Sequence, residues 1–170
     1  MTSPSNASEP GSPTIEPGDL APDFELPVDD GSLLRLSDLR GTRVVLYFYP
    51  RADTPGCTAQ ACGIRDHQKE FDDAGAVVLG ISPDPVKDVA AFREKYGLGF
   101  RLLADEDHSV AEKYGVWKEK QMYGKTFWGV ERTTFIIDEN GRVAQVFRRV
   151  KPEQHADQVL EALGARRHAD

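Results

Sequence analysis

The chain has 170 residues, 39% of them hydrophobic and 29% charged, with a net charge of −7. That length suits one domain with a sizeable core, and the modestly acidic balance gives no reason to expect a nucleic-acid partner. No apolar run approaches the roughly 20 residues needed to cross a bilayer, the first residues lack a secretory signal's basic start and apolar segment, and two cysteines make no disulfide scaffold, so a cytoplasmic location is the expectation.

Residues 1–17 are rich in Ser, Pro, Gly, Asn and Glu, with Ile15 the one large aliphatic side chain. Such a stretch cannot bury enough apolar surface to order itself, so a disordered tail is predicted there. The domain is expected over 18–164, with 165–170 a short C-terminal tail. Segments 24–26 and 33–36 flank Asp29, Asp30 and Gly31, a hairpin signal. A short helical turn closed by Gly41 follows. Residues 44–49 form a continuous apolar and aromatic run that reads as a buried strand. A helix over roughly 56–74 comes next, with Ala61, Ile64, Gln68 and Phe71 on one face at 3.6 spacing.

A second apolar strand is predicted over 77–82. A helix over about 85–96 follows, with Val86, Val89, Phe92 and Tyr96 turned inward. A short strand spans 101–104, and Ser109 is read as the cap of a brief helix ending at Gly115. Residues 116–130 show no clear period and predict a long loop. Strands over 131–137 and 142–147 flank Asp138 to Gly141, the clearest hairpin signal in the chain. A last helix is expected over 152–163. Helices between buried strands, with a hairpin near the end, argue α/β with a mixed sheet.

The stretch that carries chemistry lies between the 44–49 strand and the helix after it. Pro50, Thr54, Pro55 and Gly56 break the chain into a turn. Thr54 is a good N-cap candidate, and Pro55 sits where the first helical turn tolerates proline. Cys57 then falls in the first turn, facing unpaired N–H groups and the positive end of the helix dipole, a setting in which thiols ionise readily. Cys62 follows five residues later on the same predicted helix.

The pattern Pro50-x-x-x-Thr54-x-x-Cys57 resembles the active-site signature of peroxiredoxins, the thiol peroxidases. The second cysteine at this short spacing is similar to their Q-type branch, the bacterioferritin comigratory proteins. Three further stretches support the resemblance, which extends across 18–164: residues 21–26, residues 103–105, and residues 114–117 running on to 132–138. It implies the thioredoxin-like fold, a central mixed sheet flanked by helices with an N-terminal β-hairpin. It also implies peroxide substrates, thioredoxin as the reductant, no metal, haem or flavin, and a branch that is often monomeric.

Reducing a peroxide requires a thiolate to attack one oxygen while the other leaves. A free thiol of pKa about 8.5 is only a few per cent ionised at pH 7, and full ionisation gains only about 30-fold. Donors near Cys57 must therefore stabilise the charge shared between the two oxygens in the transition state. Helix N–H groups and the Thr54 hydroxyl are candidates. The resemblance assigns a fixed cation to Arg132, and arginine suits the role because it stays charged and presents several donors in a plane. Glu131 beside it is more polar than the family's usual residue, but its side chain should point to the opposite strand face. By resemblance, Pro50 shields the thiolate, and Cys62 condenses with the Cys57 sulfenic acid to form a disulfide.

Plainer readings exist for each residue. Cys57 or Cys62 can be a packed structural cysteine, Thr54 a cap alone, and Arg132 a solvated strand arginine. Cys57, Cys62 and His67 at five-residue spacing rotate around a helix and cannot converge on one tetrahedral zinc. His108, His155 and His168 sit in polar surroundings and read as solvated. Trp117, Phe127 and Trp128 can line an entrance or anchor the long loop. A thioredoxin-like disulfide oxidoreductase would need a Cys-x-x-Cys pair, which is missing. A non-catalytic binding module would have no use for Pro50, Thr54, Cys57 and Arg132 together.

Overall fold

The computed structural model describes residues 15–164. The chain forms β1 (Glu25–Pro27), β2 (Leu33–Arg35), β3 (Arg43–Phe48), α1 (Pro55–Asp66), α2 (Gln68–Asp73), β4 (Ala76–Ser82) and α3 (Val86–Tyr96). It continues through β5 (Arg101–Ala104), α4 (Ser109–Lys113), β6 (Trp117–Met122), β7 (Lys125–Val130), β8 (Thr133–Ile137), β9 (Val143–Arg148) and α5 (His155–Leu163). No helix among the described residues is long and apolar enough to cross a membrane.

The central sheet has the order β5-β4-β3-β8-β9. Strands β3, β4 and β5 run parallel, while β8 pairs antiparallel with both β3 and β9. The expected mixed sheet and the separate N-terminal hairpin β1–β2 are both present. β3 is central and covered on both faces, which is why its sequence is a continuous apolar run instead of an alternation. Val44, Leu46 and Phe48 join the core built with the N-terminal hairpin and α4. Val45, Tyr47 and Tyr49 join the core built with α1, α2, α3 and α5, and Cys57 belongs to this second core.

The structure corrects the sequence reading in several places. Ile15, assigned to the tail by composition, is buried in the first core, and its carbonyl accepts from Arg148 Nη2 at 2.7 Å. The rest of the predicted tails, 1–14 and 165–170, lies outside the described residues. The predicted 56–74 helix breaks at His67, whose φ of −114° and ψ of 19° end α1. There His67 Nδ1 donates to the Gly63 carbonyl at 2.8 Å, a local alternative to the helical ladder.

Ser109 does not cap α4. His108 occupies the cap position, with φ 53°, and the N–H groups of Val110 and Ala111 donate to the buried Asp105 carboxylate at 3.1 and 2.8 Å. The loop predicted over 116–130 is a β-hairpin, β6–β7. Its tip is Tyr123-Gly124, with φ 54° and 77°, the two left-handed residues that a tight hairpin turn requires. Val130 is the only fully buried residue in these two strands, so no period-2 apolar signal exists to be read.

One contact sets the packing of the three parallel strands. A Cβ added at Gly80 in β4 would lie 2.9 Å from Tyr47 Cζ and 3.0 Å from Leu102 Cδ2. Glycine there leaves room for the Tyr47 ring against the neighbouring strand. Gly80→Ala should destabilise the domain by about 1–3 kcal/mol through overpacking. Urea unfolding should show a lower midpoint with an unchanged m-value.

Candidate active site

The loop from β3 to α1 is held from two sides. The buried Asp84 carboxylate accepts from Ala52 N–H at 2.8 Å and Ser82 Oγ at 2.7 Å. Asp53, in the left-handed region with φ 61°, accepts from Lys95 Nζ and Tyr96 O–H, both at 2.9 Å. A non-glycine residue in that region carries a cost of about 1–2 kcal/mol, and these two partners offset it. Neither aspartate is assigned a role by the sequence, because Asp53 meets Lys95 and Tyr96 of α3 and Asp84, in the turn before α3, meets Ala52, contacts between segments far apart in the chain. Pro50 is half-buried at the loop's start.

Thr54 occupies the N-cap of α1 in extended conformation, and Pro55 opens the helix, as predicted. The cap differs from expectation in its chemistry. The Thr54 hydroxyl donates back to the Arg51 carbonyl at 2.9 Å and makes no capping bond to the helix. The Thr54 backbone carbonyl instead accepts from Thr58 N–H at 2.8 Å. With its proton committed, the Thr54 oxygen faces further partners as an acceptor, not as the donor the sequence reading required.

Cys57 is 1% exposed in the first turn of α1, and Cys62 is half-buried in the middle of the same helix. Both are free thiols. Arg132 sits in the short link between β7 and β8. Its Nη1 donates to Cys57 Sγ at 3.4 Å and to Gln60 Oε1 at 2.7 Å. The guanidinium reaches this position across Gly56, where an added Cβ would sit 3.1 Å from Nη2. Glu131 turns to Arg149 instead, accepting from its Nε at 2.9 Å, so it does not neutralise Arg132 through a direct bond.

The sequence reading missed two residues here. Gln60 is fully buried, and its amide Nε2 lies 3.1 Å from His155 Nδ1. His155, read as solvated, is 1% exposed at the start of α5, and its Nε2 lies 2.7 Å from Thr134 Oγ1. Burial first, and the Arg132 charge second, push its pKa down to about 3. His155 is therefore neutral at physiological pH. His168 lies outside the described residues, and His108 is half-buried, stacked on Trp117 with ring centroids 3.9 Å apart. Trp117 thus packs against the domain, while Phe127 and Trp128 on β7 are exposed. A cationic donor beside a buried thiol at a helix N-terminus is an arrangement suited to stabilising negative charge on sulfur and on atoms that react with it.

Comparison with known proteins shows the family. Residues 17–146 match the AhpC/TSA family. The chain is 50% identical over 149 residues to peroxiredoxin Bcp of Escherichia coli K12, covering 88% of this chain and 96% of that protein. Two solved structures superimpose closely. One is a Xanthomonas campestris bacterioferritin comigratory protein studied for its alkyl peroxide reduction activity, with TM-score 0.79 and 41% identity over 86% of this chain and 92% of that one. The other is a cysteine-to-serine mutant of Xylella fastidiosa PrxQ, with TM-score 0.85 and 34% identity over 94% of this chain and 100% of that one. Sheet order, the helix-start cysteine and these likenesses converge, and the chain belongs to the AhpC/TSA family, on its peroxiredoxin Q (Bcp) branch.

Proposed function

We propose that this thiol peroxidase uses Cys57 as its peroxidatic nucleophile and Cys62 as its resolving cysteine, and that thioredoxin recycles it. The observation that carries the reading is the Arg132 Nη1 to Cys57 Sγ contact of 3.4 Å at the start of α1. The Cys57 thiolate attacks the nearer peroxide oxygen, the O–O bond breaks, and the departing hydroxide or alkoxide takes up a proton. The Thr54 oxygen accepts a hydrogen bond from the incoming hydroperoxide, and Arg132 stabilises charge spreading from sulfur to the oxygens. Pro50 closes one wall of the pocket.

The product is a sulfenic acid on Cys57. Attack by the Cys62 thiolate on the sulfenic sulfur releases water after proton uptake and leaves a disulfide. A dithiol then reduces it by exchange. Hydrogen peroxide and organic hydroperoxides are both substrates in this reading. Two free cysteines that must return to the thiol state suit the cytoplasm. A monomer completes the catalytic set, because every group named lies on one chain. Steady-state peroxide consumption with thioredoxin, glutaredoxin and glutathione side by side tests the reductant. A rate with thioredoxin no higher than with the others would reject that assignment.

The disulfide has a geometric consequence. α1 runs unbroken through both cysteines. Residues five apart on a helix lie about 8.7 Å apart at Cα, whereas a disulfide needs about 7 Å or less. Oxidation must therefore unwind part of 57–62. The sequence Thr58 to Ala61 carries no large apolar side chain, which suggests that unwinding exposes little core. The contacts correct that expectation. Gln60 and Ala61 are both fully buried, and Gln60 bonds to Arg132 and His155. Unwinding dismantles part of the site.

Three outcomes are expected. Cys57→Ser should abolish peroxide reduction, while Cys62→Ser should consume about one equivalent and then fail to cycle with thioredoxin. Equal loss of the first turnover in both would overturn the roles. Arg132→Met should slow single-turnover oxidation by about 10²–10³, the loss typical of one preorganised donor. A rate within a few-fold of wild type would remove Arg132 from the mechanism. Hydrogen exchange should show lost protection across 57–63 in the disulfide form while β4 stays protected. Identical protection in both forms would mean that α1 does not unwind.

A further inference from the structure

We infer that His155 is a positioning residue of the peroxidase site, holding the Gln60 amide in the one orientation that presents its oxygen to Arg132. This rests on the role proposed above for Arg132. Donors and acceptors along this buried chain pair in one way only. Arg132 Nη1 can only donate, so the Gln60 atom 2.7 Å away is its oxygen. That leaves Gln60 Nε2, which can only donate, facing His155 Nδ1 at 3.1 Å. Nδ1 must therefore be the unprotonated ring nitrogen. The proton of the neutral ring then lies on Nε2, which donates to Thr134 Oγ1 at 2.7 Å. Gln60 and Thr134 are fully buried and His155 is 1% exposed, so no water competes for these bonds.

The chain has a direction, and it works only one way round. A proton on Nδ1, from the other tautomer or from full protonation, would set two donors against each other at Gln60. The amide would then have to turn, bringing its NH₂ against the guanidinium that lies 3.4 Å from Cys57 Sγ. Burial keeps that state away. The Tyr47 ring packs on the imidazole with centroids 5.4 Å apart, and the charge felt by the ring is that of Arg132, which disfavours a second cation. α5 thus reaches the reacting sulfur through two side chains without touching it.

The same chain links α5 to the redox state. When 57–62 unwinds, Gln60 leaves with it, and His155 Nδ1 loses its donor. The intact chain accordingly favours the wound helix.

The test is single-turnover oxidation of the full-length protein by hydrogen peroxide between pH 5 and 8, with urea stability measured in parallel. His155→Leu removes the acceptor and should slow the reaction by about tenfold to 10²-fold, the penalty of a guanidinium misplaced by about 1 Å. His155→Asn places an amide oxygen where Nδ1 stood and should recover the rate to within about threefold of wild type. Gln60→Glu still accepts from Arg132 but offers no proton to Nδ1, so His155 should take one up. A further inflection, absent from the wild-type pH–rate profile, should appear in this range.

A wild-type rate in His155→Leu overturns the proposal. So does an equal loss in the Leu and Asn variants that tracks their loss of stability. Should His155→Leu not fold, the Asn and Glu variants decide: a slow Asn variant, or an unchanged pH profile for Gln60→Glu, overturns it. Arg132→Met, run alongside, separates the two failures. If it reacts at the wild-type rate, the reading of Arg132 fails; if it is slow while the His155 variants are not, only the present inference fails.

Discussion

The site depends on one register, the antiparallel pairing of β3 with β8. Phe48 lies opposite Thr133, so Arg132 arrives level with the point where β3 ends and the turn to α1 begins. A slip of one residue would send every β8 side chain to the other face and take the guanidinium away from Cys57. That register is secured by burial. Thr133 to Ile137 is buried throughout, with its side chains divided between the two cores. The hydrophobic pattern that folds the sheet therefore also delivers the cation.

The choice of Gln60 as the partner of Arg132 has an electrostatic meaning. A carboxylate at that position would hold the guanidinium firmly but would cancel its charge in a buried setting where Coulomb interactions are strong. An amide oxygen holds it and leaves the charge to act on sulfur. The cost of a neutral partner is that an amide can face either way. A buried neutral imidazole, with its own proton held by Thr134, removes that ambiguity. The chain from Thr134 through His155 and Gln60 to Arg132 is matched donor to acceptor, the condition under which buried polar groups rigidify a structure.

Much of this was legible in the chain, and the boundary between read and unread is physical. Cys57, Thr54 and Pro55 declare themselves because strand, turn and helix start are local events encoded by neighbouring residues. Arg132 became legible only through family resemblance, since 75 residues separate it from Cys57. His155 was misread because its neighbours Glu153, Gln154 and Asp157 are polar, and burial at a helix start depends on what packs above it. Gln60, between two alanines, received no role for the same reason. The β6–β7 hairpin was missed because its strands bury almost nothing on either face. The position of the Thr54 hydroxyl, turned back to Arg51, follows from a rotamer that no spacing rule encodes.

That hairpin has a consequence of its own. Its two strands satisfy each other's backbone groups, and the central sheet gains no strand from them. Tyr123 at its tip is 95% exposed. The domain can therefore accept extra sequence between Tyr123 and Gly124, a peptide tag or a reporter, without repacking either core. The hydrogen-bonded chain from Thr134 through His155 and Gln60 to Arg132 would not register the insertion. In engineering terms the tip is a handle on an enzyme whose working parts are otherwise interlocked.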